Sequence, residues 1–186
     1  MSRSGAEAPL AAERVVVAMS GGVDSSLAAA LAVEAGYDVV GVTMKLSTGS
    51  SRCCSLADAE DARRVADALG VRFFIADYAD AFRKQVIEPF ADAYLAGRTP
   101  IPCVACNKRF KFDHLLERAK VYGAERVATG HYARIVRDPS SDRLLLKRAR
   151  DLAKDQSYFL FQLDQDQLSR AWFPLGELSK HEVKLA

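Results

Sequence analysis

Hydrophobic residues fall along this chain in two alternating rhythms: short unbroken runs, and longer stretches with helical spacing. Arg14–Ala18, with Val15, Val16 and Val17 in succession, fits a strand buried on both faces, and Leu27–Ala35 fits a helix that stops at Gly36. Asp38–Met44 reads as a second strand. Leu56–Leu69 is amphipathic, with Ser55-x-x-Asp58 as a capping box at its start, and Val71–Ala76 reads as a third strand. Helical spacing returns over Ala79–Ala96. Gly97–Cys106, carrying Pro100 and Pro102, reads as a loop, Phe112–Tyr122 as a helix stopped by Gly123, and Glu125–Thr129 as a further strand. Such alternation predicts an α/β fold built on a doubly wound parallel sheet. From His131 the rhythm changes. His131–Arg137 and Arg143–Arg148 flank Asp-Pro-Ser-Ser-Asp and predict a β-hairpin insertion, while the aromatic-rich stretch Tyr158–Trp172 follows no single period. Met1–Glu13 reads as a mobile tail and Arg14–Ala186 as one domain, with no internal repeat.

The length of 186 residues suits one ordinary domain with a sizeable core. No apolar run is long enough to cross a membrane, and Met1–Glu13 lacks the pattern of a secretory signal, so a cytoplasmic protein is expected. In that compartment the four cysteines, Cys53 beside Cys54 and Cys103 three residues before Cys106, suggest reactive or metal-binding thiols more than disulfides. A net charge of +2 leaves any nucleic-acid role to local patches. Arg98–Phe112 holds Arg98, Lys108, Arg109 and Lys111 without an acid; Arg134–Arg150 holds six basic residues against Asp138 and Asp142. Each patch alone fits a solvated basic face equally well.

Candidate chemistry concentrates in two segments. Ala18-Met-Ser-Gly-Gly-Val-Asp-Ser25 follows the first strand and opens the first helix, where backbone N–H groups and the helix dipole favour an anion. Gly21 and Gly22 permit close backbone approach, and Ser20 and Ser25 offer hydroxyls. The segment is neither a Walker A nor a G-x-G-x-x-G sequence. A phosphate loop without the Walker lysine suits gripping the two terminal phosphates of a nucleotide as a leaving group, with attack at the α-phosphate. The plainer alternative is a Gly-Gly turn capped by Asp24 or Ser25. In the second segment, Cys106 stands ahead of a helix among Lys108, Arg109 and Lys111, a setting that favours thiolate, and the prolines stiffen its approach. A redox pair, half a zinc site and two core thiols compete with this reading. Adjacent Cys53 and Cys54 cannot form a second C-x-x-C hand, which disfavours zinc.

Seven segments in order resemble the bacterial tRNA-specific 2-thiouridylase family, whose catalytic part is a PP-loop ATPase of the adenine nucleotide alpha hydrolase-like fold. They are Ala18–Ser26, Gly41–Lys45, Cys53-Cys-Ser-Leu-x-Asp58, Tyr94–Pro100, Cys106-Asn-Lys-x-x-Lys-Phe112, Thr129-Gly-His-Tyr-Ala-Arg134 and Lys154-Asp-Gln-Ser-Tyr-Phe-Leu160. The resemblance implies ATP-dependent adenylation of the 2-oxygen of a tRNA wobble uridine, then its replacement by sulfur from a persulfide donor such as a cysteine desulfurase relay. By the match, Ala18, Met19, Ser20, Gly21, Gly22, Val23, Asp24 and Ser25 hold the phosphates, with Asp24 orienting magnesium. Met44 and Gly130 border the adenosine, and Cys106 is the nucleophile. Ile101, Pro102 and Cys103 meet the target base, and Lys154, Asp155 and Gln156 contact tRNA. Tyr158 and Phe159 fit core better than base stacking, and His131 fits a nucleotide contact or a structural role equally. Many relatives carry Asn-Pro-Asp where Ile101-Pro102-Cys103 stands; the cysteine there suits a persulfide-resolving partner for Cys106 or a ligand of an iron-sulfur cluster. The family's second cysteine and its tRNA-binding barrel domains follow a segment resembling Leu178-Ser-Lys-His-Glu-Val, so a chain cut short at its C-terminus is expected. The alternatives are another adenylating ligase of the same loop type and a catalytically silent tRNA or sulfur-carrier binding module.

Overall fold

A computed structural model describes residues 12–46 and 56–186. The first eleven residues, Cys53, Cys54 and the Ser55 end of the expected capping box lie outside the described residues.

The all-valine run becomes β1 (Arg14–Ala18), the middle strand of the sheet, with Val15, Val16 and Val17 at most 1% exposed. Burial on both faces is what an unbroken apolar run requires, and each such side chain contributes about 1.5–3 kcal/mol relative to exposure. β2 (Asp38–Lys45) and β4 (Arg126–Thr129) flank it, β3 (Arg72–Asp77) pairs with β2, and β7 (Ala171–Trp172) pairs with β4. The order β3-β2-β1-β4-β7 is parallel throughout. Glu13 already belongs to this unit, since its carbonyl accepts from the Asp38 amide.

Helices α1 (Val23–Glu34) and α2 (Leu56–Leu69) cover one face, where Val15, Val17 and Val39 pack on Ala28, Ala29, Ala32, Ala62 and Ala66. The other face carries Val16, Val40, Val42 and Met44, which point the opposite way by strand alternation and meet Phe110, Phe112, Leu115 and Ala119. Those partners come from one uninterrupted helical stretch: α5 (Pro102–Cys106), a π-helical segment (Asn107–His114) and α6 (Leu115–Val121). Here the sequence expectation fails. Pro102 occupies the first helical turn, where its missing N–H costs nothing, so the helix begins inside the expected loop. Ala79–Ala96 is likewise one helical stretch in three parts: α3 (Ala79–Phe82), a π turn (Arg83–Ile87) and α4 (Glu88–Leu95).

The expected hairpin forms as β5 (Ala133–Arg137) and β6 (Leu144–Arg148), paired antiparallel, with Asp142 in the left-handed region at φ 56°. The stretch without a period resolves into a 3₁₀ turn (Ser157–Phe159), α7 (Gln165–Arg170) and the edge strand β7. The described chain ends in α8 (Lys180–Leu185), and no described helix is long and apolar enough to cross a membrane.

Candidate functional site

The crossovers leave β1 in opposite directions, to β2 on one side and, later, to β4 on the other, and open α/β sheets bind ligands outside the strand ends at such a switch point. A cavity of about 210 Å³ lies there, at the C-terminal ends of β1, β2 and β4. Ala18, Met19, Ser20, Asp24 and Ser25 form one side, Val42, Met44 and Leu46 another, and Thr129, Gly130, His131, Gln156 and Lys111 complete it.

The loop after β1 is held by backbone and by its own hydroxyls. The Met19 amide donates to the Val42 carbonyl at 2.9 Å, and Thr43 Oγ1 donates to the Met19 carbonyl at 2.7 Å. Ser25 Oγ accepts from the Ser20 amide at 3.1 Å and donates to the Gly22 carbonyl at 2.9 Å. The Ser25 hydroxyl therefore donates within the loop. Ser20 is exposed, and the first-turn amides of α1, which opens at the Gly22 cap without a side-chain cap, have no helical acceptors. Gly21, at φ +77°, has no room for a side chain: a Cβ there would sit 2.3 Å from the Asp58 carbonyl oxygen of α2. Gly130 is as constrained, with a Cβ position 2.8 Å from the Asp24 carbonyl carbon and 2.9 Å from the Ser25 nitrogen. Two glycines thus let α2 and the end of β4 close directly on the loop. Gly22 and Val23 shape the start of α1 without lining the cavity.

Asp24 is the only acidic lining residue among the described residues. Its Oδ1 accepts from Tyr132 Oη at 2.8 Å and from Lys180 Nζ at 2.6 Å, which ties α1 to α8. Burial, and then the hydrogen bond to Asp24, push the Tyr132 phenol above its ordinary range, so it serves as a donor. Sequence reasoning missed Tyr132 and Lys180 as site residues, although for Lys180 a signal existed in Ser179-x-x-Glu182, the capping box that starts α8. Gln156 accepts from the Tyr132 amide through Oε1 at 3.0 Å, while its own amide donates to the Tyr132 carbonyl at 2.9 Å, so it faces the cavity as a braced residue.

His131 is 7% exposed, with Nδ1 2.7 Å from Thr129 Oγ1 and Nε2 3.5 Å from Lys111 Nζ. Burial, reinforced by the Lys111 charge, holds its pKa well below the ordinary value, so the ring is neutral. An ammonium can only donate, which assigns Nε2 as the acceptor and Nδ1–H as the donor to Thr129.

Cys106 is half-buried and packs against the core cluster that contains Met44 and Leu46, so it lies on the same face of the sheet as that cavity wall. It follows the first α-helical turn instead of preceding a helix. The N-terminal dipole therefore acts more directly on Cys103, which is exposed in that turn, than on Cys106. Ile101 and Cys103 are exposed and Pro102 half-buried beside them at the mouth of this helix.

Lys154 is exposed, but Asp155 turns inward, accepting from the Ala149 amide at 2.9 Å and from Ser157 Oγ at 2.8 Å. Tyr158 is 60% exposed beside the equally exposed Phe161, which corrects its assignment to core; Phe159 is half-buried. The basic stretch of the hairpin is largely paired, Arg134 with Glu177, Arg137 with Asp142 and Arg150 with Glu182. No three His, Cys, Asp or Glu side chains among the described residues are placed to hold a metal ion; Cys53 and Cys54 lie outside those residues.

Residues 13–186 match the family model described as the tRNA methyl transferase HUP domain. The chain is 50% identical over 183 residues to the tRNA-specific 2-thiouridylase MnmA of Acidobacterium capsulatum, covering 91% of this chain and 49% of that protein. Identity to the protein of the same name from Acidothermus cellulolyticus is 54% over 178 residues, covering 92% and 49%. The chain therefore spans about half the length of the curated relatives it matches. Among solved structures, the U34-tRNA thiolase NcsA from Methanococcus maripaludis with its 4Fe-4S cluster aligns at a TM-score of 0.57 and 17% identity, over 93% of this chain and 54% of that one. A predicted subunit of tRNA methyltransferase from Methanocaldococcus jannaschii aligns at 0.54 and 18%, over 93% and 73%. At these identities the two structures speak for the fold.

Proposed function

The chain belongs to the family described as the tRNA methyl transferase HUP domain, and on that premise we propose that it is the ATP-using catalytic part of a tRNA uridine 2-sulfurtransferase. The observation that carries the reading is the cavity at the switch point, where the phosphate loop, Met44 and Gly130 converge on the sheet face that also carries Cys106. Curated relatives at about 50% identity bear the name of that activity.

In this reading the adenosine of ATP lies against Met44 and Gly130, and the β- and γ-phosphates lie on the amides of Gly21–Ser25 and on Ser20. Asp24 is the carboxylate that would hold the magnesium of the triphosphate, which would offset phosphate charge, although Lys180 and Tyr132 already claim one of its oxygens. The uridine 2-oxygen bonds to the α-phosphorus, the bridging P–O bond breaks, and pyrophosphate leaves, taking the base N3 proton through solvent. The terminal sulfur of a persulfide then attacks C2 and AMP departs with the former uridine oxygen. A second thiol accepts the remaining sulfur in a disulfide and leaves the new sulfur on C2. Cys106 is the reacting thiol, Ile101, Pro102 and Cys103 meet the base, and Lys154, Gln156 and the exposed Tyr158 approach tRNA. Asp155 shapes that loop from within. The donor is a persulfide carrier, and the reaction belongs to the cytoplasm, where tRNA is modified.

The test is to incubate the chain with ATP, a persulfide donor and unmodified tRNA, with and without the C-terminal half of a curated relative supplied in trans, and to look for 2-thiouridine by mass spectrometry. Product that disappears in Cys106→Ser is expected. Absence of product under both conditions, with no pyrophosphate released, contradicts the reading.

A further inference from the structure

The cavity contains one fixed cation among the described residues, Lys111, and nothing in the phosphate loop supplies another. A loop without the Walker lysine leaves the α-phosphate, the group under attack, without a cationic side chain from the phosphate loop. Lys111 comes instead from the helix on the opposite wall. Its Nζ is 3.5 Å from Nε2 of a buried His131 that can only accept from it, and the second ring nitrogen is locked on Thr129 Oγ1 at 2.7 Å. A neutral imidazole therefore accepts from the ammonium at the cavity lining.

The backbone around Lys111 also has a consequence. Asn107–His114 is π-helical, with i→i+5 hydrogen bonds and about 4.4 residues per turn, so Lys111 stands just over one turn beyond Cys106, the last residue of α5, and about 50° further round the axis. In an α-helix the same two residues would point about 140° apart. The neighbouring cations do not share this position: Arg109 is exposed and reaches the Gln85 carbonyl at 3.5 Å, and Lys108 does not line the cavity.

We propose that Lys111 is a catalytic residue that serves both reacting centres, binding a non-bridging oxygen of the α-phosphate through Nζ and stabilising the Cys106 thiolate one turn away. As the uridine 2-oxygen bonds to the α-phosphorus and pyrophosphate departs, negative charge gathers on the equatorial oxygens, and the ammonium faces it. When AMP leaves in the second step, the same charge stays beside the incoming sulfur. The inference rests on the ATP-binding reading above.

Two measurements that need no turnover test it: affinity for ATP and for adenosine by calorimetry, and the pH profile of iodoacetamide alkylation at Cys106 resolved by peptide mass spectrometry. Lys111→Met, which keeps the stem, is expected to weaken ATP binding by at least about tenfold while leaving adenosine binding unchanged. It is also expected to slow Cys106 alkylation near neutral pH by about tenfold. Lys111→Arg should retain most of both. Lys111→Gln provides a second neutral side chain should the Met variant melt early, and Lys120→Met, on the exposed face of α6, controls for loss of a charge. Wild-type protein that fails to bind ATP removes the reading and the inference together. Wild-type protein that binds ATP, with both neutral variants binding and alkylating as it does, overturns the inference alone.

Discussion

His131 shows at the scale of one residue how the cavity constrains its own chemistry. Because the folded ring resists protonation while the unfolded one titrates at its ordinary value of 6.5, the unfolded state binds more protons once the pH falls below about that value. The stability contributed by the neutral ring is present above pH 6.5 and is lost as pH falls, by up to about 1.4 kcal/mol per unit. Carboxylates such as Asp38, lowered below 3.8 chiefly by its hydrogen bond from Arg14, lose their contribution only further down the scale. Melting temperature should therefore decline between pH 7 and 5 in the wild-type protein and decline less in His131→Asn; equal slopes would count against a buried neutral ring. The same scale shows what sequence could reveal of the site. Ser20 and Asp24 could be placed at the strand end from the loop's own sequence, whereas Met44 and Gly130, which line the same cavity, came only from the family resemblance. Lys111 was legible only as one of several flanking cations, since its place depends on a π-helical repeat that leaves no mark in residue order.

Elements were read well where one period dominated and poorly where two rules competed. β1, β2, α2 and the hairpin lie within a residue or two of expectation, but the proline rule favoured a loop at Pro102 while the same residue at the first turn starts a helix. β7 has only two residues, too few to show a period, and is recruited by pairing with β4. α8 matters beyond its six residues, because its capping box fixes the turn that carries Lys180 to Asp24. Ser179→Ala should cost about 1 kcal/mol and lower the melting temperature by about 2–4 °C. It should also raise amide exchange in α8 and in the first turn of α1 together. Faster exchange in α8 alone would mean that the Lys180–Asp24 contact does not couple the two helices.

At the scale of the molecule, a five-stranded parallel sheet brings Ala18, Met19, Ser20, Asp24, Ser25, Met44 and Gly130 to one set of strand ends, with Cys106 on one of its two faces. That architecture followed from the alternation of runs, whereas the closeness of α2 to the phosphate loop did not, because it depends on a carbonyl meeting a missing side chain at Gly21. Gly21→Ala must displace either α2 or the loop, and so separates nucleotide binding from the rest of the fold. Photolabelling with 8-azido-ATP followed by peptide mapping puts the central claim to the most direct test. The account predicts adducts confined to peptides containing Met44 or Gly130, competed by ATP and lost in a folded Gly21→Ala variant. Adducts elsewhere on the chain that survive that substitution would contradict it.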